Sequence, residues 1–279
     1  PDYLDEEALV RHAAEALGAA VGRGVRSLVD LTPINLGRDI GLIRRVAEAT
    51  GVQIVAATGF YWTEEPWMGA WEVETLASYL IRDIEEGIEG SSSKAGIIKC
   101  ATDRPGVTAL NEKLLQVAAH AHRRTGVPIS THTSVENRSG LAQQDVFERA
   151  GVDLSRVVIG HCGDTEDLAY LEAILRRGST IGMDRFGVDI ILPTKQRVDT
   201  IVELCRRGWA GQMVLSHDAA CHIDWFPRDM IERTVPNWNY LHICDEVIPA
   251  LRERGVSQED LETMTVRNPR RIFEQQGSY

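Results

Sequence analysis

The segments AGIIKCAT (residues 95–102) and PISTHTS (residues 128–134) flank a helical pattern at Leu110–Thr125. Neither segment alternates strictly between apolar and polar residues, which is typical of strands buried on both faces of a parallel sheet. Gly126 stands directly after the helical pattern, where a helix C-cap is expected. A strand, a helix and a second strand in this order predict a parallel βαβ unit.

The same alternation continues on both sides of this unit. Further strands are predicted at Val25–Thr32, Val52–Gly59, Val157–Gly163, Ser179–Asp184 and Met213–Asp218. Further helices are predicted at Asp5–Arg23, Arg38–Thr50, Val73–Gly87, Ala142–Ala150, Thr165–Arg177 and Gln196–Arg207. Repeated βα units indicate an α/β fold with a parallel sheet, either closed into a barrel or doubly wound.

The chain after the last strand is organised differently. Ala219–Asn239 is rich in Trp, Pro and His and is predicted to be a large loop, and helices follow at Leu241–Arg254 and Gln258–Gln275. No linker divides the sequence, so we predict a single domain over residues 1–279. Seven strands are visible, whereas a closed barrel has eight. We therefore expect the first strand upstream of residue 1, with a gap between Val25–Thr32 and Met213–Asp218.

Composition excludes several classes of partner. The chain has 279 residues, 43% of them hydrophobic, and a net charge of −11. Such an acidic protein repels phosphate backbones, so we expect no nucleic-acid partner. No apolar run approaches the roughly 20 residues of a membrane span, so we expect no membrane partner. The five cysteines form no CxxC pair, which favours a reduced, cytoplasmic protein.

Polar residues recur at the carboxyl ends of the predicted strands, where barrel enzymes place their active sites. They are Lys99, His132, His161, Asp184 (followed by Arg185) and Asp218. Imidazole and carboxylate groups suit divalent metals. A lysine inside an apolar strand is unexpected, because a buried ammonium is costly. Carboxylation by carbon dioxide would convert Lys99 into an anionic ligand that can bridge two metals.

Each of these residues has a simpler interpretation on its own. A single strand-end histidine is more often a hydrogen-bonded core residue, Lys99 could form an ion pair, and Asp184 could cap a helix or orient a ligand histidine. His217 should point away from the barrel centre and pack. His12, His120 and His122 lie on predicted helices and are interpreted as solvated or lightly buried, and a substrate-side role for His222 stays open.

Taken together, the strand-end segments resemble the phosphotriesterase family of the amidohydrolase superfamily, and most of all its phosphotriesterase-like lactonases. The resemblance covers essentially the whole chain. It rests on GIIKCA (96–101), ISTHT (129–133), VIGHCGD (158–164), GMDRFG (182–187), LSHD (215–218) and NPRRIF (268–273).

The resemblance implies a (β/α)8 TIM barrel with two divalent metal ions, zinc first, with cobalt, iron or manganese as alternatives. Carboxylated Lys99 and a hydroxide would bridge them, with His132 and His161 on the more exposed ion. Asp218 would bind the buried ion, take up a proton and pass it to the leaving group through solvent or through Asp184, which lies next to the ligands. Tyr61, Arg185 and Trp225 match residues at the lactonase substrate site. Tyr61 is also expected to be catalytic, by donating a hydrogen bond to the polarised oxygen or the ring oxygen of the substrate.

The family is typically homodimeric, and a homodimer is expected here. A loop with Trp62, Trp67, Met68 and Trp71 is predicted to form an exposed interface patch. The resemblance implies small lactones of the N-acyl homoserine lactone type as the preferred substrates, as in quorum quenching, with promiscuous phosphotriester hydrolysis. The first alternative is an enzyme that is primarily an organophosphate triesterase.

One departure from the family pattern is serious. The family carries a His-x-His pair on its first strand, and this chain has such a spacing only at His120 and His122, inside a predicted helix. Residues two apart on a helix point to different faces. We expect the pair upstream of residue 1. Its absence from these residues leaves open an alternative of another class, a metal-free, non-catalytic barrel used for binding.

Overall fold

A computed structural model describes residues 5–274 and 277–279, and its centre is one sheet of seven parallel strands. The strands pair in sequence order, β1 to β7. A doubly wound sheet would reverse its order at a switch point, so this sequential order favours the barrel topology. The strands are β1 Ser27–Asp30, β2 Gln53–Gly59, β3 Ile97–Ala101, β4 Ile129–His132, β5 Val157–Ile159, β6 Thr180–Met183 and β7 Met213–Leu215.

Helices lie between the strands and after the last one. Those up to β7 are α1 Glu6–Gly22, α2 Ile40–Thr50, α3 Pro66–Ala70, α4 Val73–Glu85, α5 Ala109–Thr125, α6 Ser139–Arg149, α7 Leu168–Arg176 and α8 Thr194–Arg206. Those after β7 are α9 Arg228–Thr234, α10 Ile248–Glu253, α11 Gln258–Glu262 and α12 Asn268–Glu274. None of the described helices combines the length and hydrophobicity that a membrane crossing requires.

The βαβ unit around α5 illustrates how the layers form. Thr108 caps α5 by accepting a hydrogen bond from the backbone N–H of Asn111, and Gly126 ends the helix with φ 75°. Between these caps the apolar face of α5 packs in one buried cluster with Ile98 and Ile129 of the neighbouring strands. Because side chains alternate along a strand, burying Ile98 on the helical side sends Lys99 to the other face of the sheet.

The sheet is open at one place. β1 and β7 stand at its two ends, and among the described residues no eighth strand pairs with either. The gap lies between the two strands where it was expected. The prediction of a single domain over residues 1–279 stays a prediction.

Helix and strand boundaries differ in detail from the sequence prediction. All seven strands are shorter than expected, and α6 begins at Ser139 instead of Ala142. The predicted loop Ala219–Asn239 contains the short helix α9. In the last two helical regions, π-helical segments precede prolines, Ile243–Val247 before Pro249 and Thr263–Arg267 before Pro269. Proline lacks the N–H that a regular helix needs, which explains the wider turns. Gln275, the predicted end of the last helix, lies outside the described residues.

The tryptophan-rich loop is only partly exposed. Trp67 and Trp71 are exposed by 41% and 47%, and the ring of Trp67 meets Phe60 edge-on at 6.0 Å. Met68 is fully buried in the main hydrophobic cluster, so its assignment to an exposed patch is wrong. The physical reason is local: α3 turns Met68 inward while its neighbour Trp67 faces solvent.

Candidate active site

The predicted site residues stand at the carboxyl ends of adjacent strands. Lys99 lies within β3, and His132 is the last residue of β4. His161, Asp184 and Asp218 follow β5, β6 and β7 within three residues of the strand ends. Lys99, His132 and His161 are all buried, with exposed fractions of 5%, 4% and 3%. The structure therefore gathers side chains that are far apart in sequence at one end of the sheet.

The two histidines are in direct contact. His161 Nε2 lies 2.8 Å from His132 Nδ1, and the rings meet edge to face with centroids 4.3 Å apart. Burial lowers the pKa of both imidazoles; for His132 the hydrogen bond that its ring donates to Asp103 opposes the shift, and for His161 the charge of Arg185 adds to it. Burial therefore favours the neutral form of each ring, which carries one proton and one lone pair.

A carboxylate contacts the outer nitrogen of each ring. His132 Nε2 is 3.2 Å from Asp103 Oδ2, and His161 Nδ1 is 3.0 Å from Asp184 Oδ1. An ionised carboxylate only accepts, so the protons belong on these outer nitrogens. When both carboxylates are ionised, the inner nitrogens carry the lone pairs, and these two atoms lie 2.8 Å apart. Such an arrangement is repulsive without a shared cation, and carboxylate-backed imidazoles are the usual pattern of metal ligands.

Asp184 is committed to His161. Besides the ring, it accepts the backbone N–H of His161 at Oδ2, 2.8 Å away. Burial raises the pKa of Asp184, and that hydrogen bond and the charge of Arg185 oppose the shift. His161 itself has a left-handed backbone with φ 60°, an uncommon conformation for a non-glycine residue. Asp184 thus fixes both the backbone and the ring of His161, the orienting role considered from the sequence.

Lys99 has an unusual environment for an ammonium group. Burial lowers its pKa, and the charges of Asp218 and Asp184 only partly oppose the shift. Within residues 5–274 and 277–279, no hydrogen bond or ion pair joins the Lys99 side chain to another group. The ion-pair alternative considered from the sequence therefore finds no partner in the described part of the chain. These surroundings favour the neutral amine form of Lys99 over the ammonium form, and the neutral amine is nucleophilic.

Asp218 faces the same centre from β7. Its Oδ2 lies 4.0 Å from His161 Nδ1 and accepts a hydrogen bond from Arg185 Nε at 3.2 Å. Burial alone would lower the pKa of the Arg185 guanidinium. The negative charges of Asp218, Asp164 and Asp184 outweigh this effect and raise that pKa. Arg185 and Asp218 both have left-handed backbones, with φ 57° and 56°. Two uncommon backbone conformations at adjacent strand ends are typical of a functional site.

Tyr61 and Trp225 line the open side of the histidine pair. The Tyr61 hydroxyl is 3.3 Å from His132 Nδ1, and its ring lies 5.9 Å from that of Trp225. Burial raises the pKa of Tyr61 to about 12, so its hydroxyl stays protonated and can donate. Trp225 is 54% exposed. An aromatic wall with one buried hydroxyl therefore borders the site.

The remaining histidines lie apart from this centre. His217 packs against Tyr240 with ring centroids 4.6 Å apart, as predicted, and burial lowers its pKa to about 4. His222 pairs with Asp224 on the surface. The interpretation of His122 as solvated or lightly buried is wrong, because the side chain is completely buried. Its ring contacts the carbonyl of Val127, a tertiary contact that helical position does not reveal.

Sequence reasoning missed three charged residues around the centre. Asp103 lies two residues beyond the end of β3, so the strand-end criterion could have found it. Asp164 lies three residues after His161, in a segment quoted for the resemblance but assigned no role. Arg197 lies on α8, and only the folded structure places it beneath the site.

In the part of the chain that the structure describes, histidine, cysteine and carboxylate side chains alone do not form a metal site. Within residues 5–274 and 277–279, no three His, Cys, Asp or Glu side chains are arranged to hold a metal ion. The predicted ligand set contains three such side chains, His132, His161 and Asp218, and would need the modified Lys99 to complete it. The contact between His161 Nε2 and His132 Nδ1 at 2.8 Å fits two ligands of one site.

Comparisons with known proteins agree with this geometry. The model of the phosphotriesterase family matches residues 2–273. The solved phosphotriesterase from Mycobacterium tuberculosis is 51% identical, with a TM-score of 0.95 over 99% of this chain and 88% of that one. A solved structure described as organophosphate hydrolysis engineered from a weak promiscuous lactonase template is 34% identical, with a TM-score of 0.89 over 96% of this chain and 87% of that one.

A curated relative extends the similarity to a second organism. The aryldialkylphosphatase of Saccharolobus solfataricus is 37% identical over 277 residues, which cover 98% of this chain and 88% of the relative. Structural neighbours in this family are TIM barrels, in agreement with the sequential parallel sheet. The strand-end residues, the fold and the family model lead to one conclusion: the chain belongs to the phosphotriesterase family and is a metal-dependent hydrolase.

Proposed function

We propose that the protein is a binuclear metal-dependent hydrolase that opens lactones of the N-acyl homoserine lactone type and hydrolyses phosphotriesters as a promiscuous activity. The observation that carries the proposal is the contact between His161 Nε2 and His132 Nδ1 at 2.8 Å, with a carboxylate at the outer nitrogen of each ring and a buried lysine on the neighbouring strand. A hydrogen-bonded core would not leave two acceptors in contact. A metal-free binding barrel, the rival of another class, gives no reason for this arrangement.

The ligand set would consist of Lys99 in carboxylated form, His132, His161 and Asp218. Zinc suits the nitrogen and oxygen donors, with cobalt, iron and manganese as alternatives. When bound, such ions lower the pKa of water and polarise a carbonyl or phosphoryl oxygen. Asp103 and Asp184 would keep the two imidazoles in the tautomers that present a lone pair inward.

Carboxylation of Lys99 is chemically simple. The neutral amine attacks carbon dioxide, an N–C bond forms, and one proton leaves to solvent, which produces a carbamate anion. The reaction needs the unprotonated amine, and burial lowers the pKa of Lys99 toward that state. The modified side chain would bring a negative charge into a centre where burial disfavours the ammonium.

Asp218 and Tyr61 would act on the substrate. We infer that Asp218 accepts the proton of the attacking water, because its carboxylate faces the centre and stays 39% exposed at the side chain. Both oxygens of Asp184 are occupied by His161, which favours solvent over Asp184 as the onward route of that proton. Tyr61, protonated and next to His132, would donate a hydrogen bond to the carbonyl or ring oxygen of a lactone.

The aromatic wall favours an acyl substrate. Trp225 and Phe226 are exposed by 54% and 44% on the loop after β7, a surface that suits an alkyl chain. The lactonase template among the similar structures supports the same choice. The relative named aryldialkylphosphatase supports the alternative, a primary organophosphate triesterase.

A hydrolysis screen tests the proposal. The protein, supplied with zinc, cobalt or manganese, is assayed with a series of homoserine lactones of increasing acyl length and with paraoxon. We expect kcat/KM for the best lactone to exceed that for paraoxon by about 100-fold, since differential transition-state binding sets the ratio. A preference for paraoxon would establish the triesterase alternative, and hydrolysis of neither substrate would contradict the proposed function.

Trp225→Ala should change substrate choice. Loss of a large apolar contact should lower kcat/KM for long-chain lactones by roughly tenfold, while paraoxon hydrolysis changes by less than about threefold. The matched control is Tyr279→Ala, an aromatic that is 45% exposed and stacks on Arg156, away from the carboxyl ends of the strands. An unchanged ratio between the two substrates in Trp225→Ala would remove this residue from the substrate site.

Assembly as a homodimer is also proposed. Trp67 and Trp71 remain exposed in one short segment, and aromatic residues are enriched at protein interfaces. Light scattering at micromolar concentration should give twice the mass of one chain, and Trp71→Glu should shift the protein toward the monomer. A monomeric wild type would show that the two tryptophans have another role.

A further inference from the structure

Arg197 is a charged residue with no exposed surface. It lies on α8 and its exposed fraction is 0%. The guanidinium Nε donates to the carbonyl of Leu192 at 2.9 Å, and Nη1 donates to the carbonyl of Asp184 at 2.9 Å. Nη1 also forms an ion pair with Asp164 Oδ1 at 2.7 Å. Nη2 has no hydrogen-bond partner in the described part of the chain.

A buried guanidinium with an unpaired nitrogen needs an explanation beyond stability. Burying a charge is costly, and well-packed apolar residues often replace a buried ion pair without loss of stability. Each buried polar atom without a partner adds to that cost. The three contacts of Arg197 therefore point to a role in holding its partners in place.

Two hydrogen bonds connect the ion pair of Arg197 and Asp164 to the centre of the site. Asp164 Oδ2 accepts a hydrogen bond from Arg185 Nη1 at 2.9 Å. Arg185 Nε donates in turn to Asp218 Oδ2 at 3.2 Å. The carboxylate of Asp164 thus bridges the guanidinium groups of Arg197 and Arg185. Arg185 in turn contacts Asp218, the residue proposed to accept the proton.

Arg197 also fixes the backbone from which Arg185 projects. The carbonyl that it binds belongs to Asp184, the residue before Arg185, whose φ is 57°. The loop after β5 packs closely against the same point. A Cβ on Gly163 would lie 2.6 Å from the Asp184 carbonyl oxygen and 3.1 Å from Arg197 Nη1. Only glycine fits there without a shift of its neighbours.

We propose that Arg197 is a positioning residue that aims Arg185 at the carboxylate of Asp218, by holding both Asp164 and the backbone of Asp184. The inference rests on the proposed function for the role of Asp218. Arginine suits the task better than lysine, because its planar group donates in several fixed directions at once. Lysine would keep the charge and lose at least one of the three contacts.

A double-mutant cycle tests this role. Arg197→Lys and Asp164→Asn should each lower kcat by roughly tenfold and change KM by less than about threefold, because both residues position Arg185 against the carboxylate of Asp218. The kcat of the double variant should lie within about twofold of the kcat of either single variant, since the two residues act in one chain of contacts. The control is Arg177→Lys, whose guanidinium bridges Asp145 and Glu148 on the outer helical layer, and its kcat should not change.

Crystal structures of the variants provide a readout that does not depend on activity. In Arg197→Lys, Arg185 Nε should lie clearly farther from Asp218 Oδ2 than the present 3.2 Å. Asp164→Asn provides the same test if Arg197→Lys does not fold. Independent, multiplying losses of kcat, or an unmoved Arg185 in the variant structures, would overturn the inference. A wild type without hydrolase activity would refute the proposed function instead, and the structures would still decide the positioning of Arg185.

Discussion

Lys99→Ala is expected to remove most of the bound metal and to lower the hydrolysis rate by about 1000-fold or more, because metal activation of water would be lost. The reason lies in the position of Lys99. It is 5% exposed on the inner face of β3, where burial lowers its pKa and the charges of Asp218 and Asp184 only partly oppose the shift. Without the carbamate, only His132, His161 and Asp218 would remain of the proposed ligand set, and no group would bridge the two ions.

Short carboxylic acids should partly rescue this variant. Acetate or propionate can enter the space left by the lysine side chain and supply the missing carboxylate, so both metal content and rate should rise with their concentration. The matched control is Lys113→Ala, a lysine on α5 that donates to the carbonyls of Met68 and Gly69. Full metal content and full rate in Lys99→Ala would rule out the bridging role.

Lys99→Met separates this role from folding. Methionine fills a similar volume, and the described residues offer no partner that the ammonium would lose. With metal removed from both proteins, we expect a melting temperature no lower than that of the wild type, because an apolar side chain is less costly to bury than an amine. A marked loss of stability would mean that Lys99 holds the fold together through contacts that the structure does not contain.

Asp218→Asn should lower kcat by about 100-fold to 10,000-fold and change KM only a few-fold, the signature of a group that acts on a proton in the transition state. Asparagine keeps an oxygen for the hydrogen bond from Arg185 Nε, so the geometry should persist while the basicity is lost. Asp245→Asn is the control, since this exposed carboxylate pairs with Arg23, the residue after α1. An unchanged kcat with a raised KM would show that Asp218 binds substrate and transfers no proton.

The sequence predicted the fold because each strand forms a short apolar run with a helical pattern beside it. Val52–Gly59 and Val157–Gly163 both contain observed strands, although the latter ends already at Ile159. Boundaries were too wide because a strand ends where its ladder of hydrogen bonds ends, and that depends on the neighbouring strand. The choice between a barrel and a doubly wound sheet likewise needed the strand order.

The site was predictable as far as strand ends define it. Lys99, His132, His161, Asp184 and Asp218 do meet, because parallel strands end on the same edge. The contacts between elements were not predictable. Nothing in sequence places the Arg197 guanidinium beneath Asp184, and the inward turn of Met68 follows from the position of α3 against the core. The burial of His122 likewise depends on its contact with the carbonyl of Val127.

Metal analysis of the purified protein tests the central claim most directly. The protein is prepared with zinc, cobalt or manganese in the medium, freed of loosely bound ions by gel filtration, and measured by mass spectrometry of the elements. We expect about two divalent ions per chain, and a Lys99→Ala preparation treated in the same way should lose most of them. A folded wild-type protein with less than about a tenth of an ion per chain would contradict the account and favour the metal-free barrel.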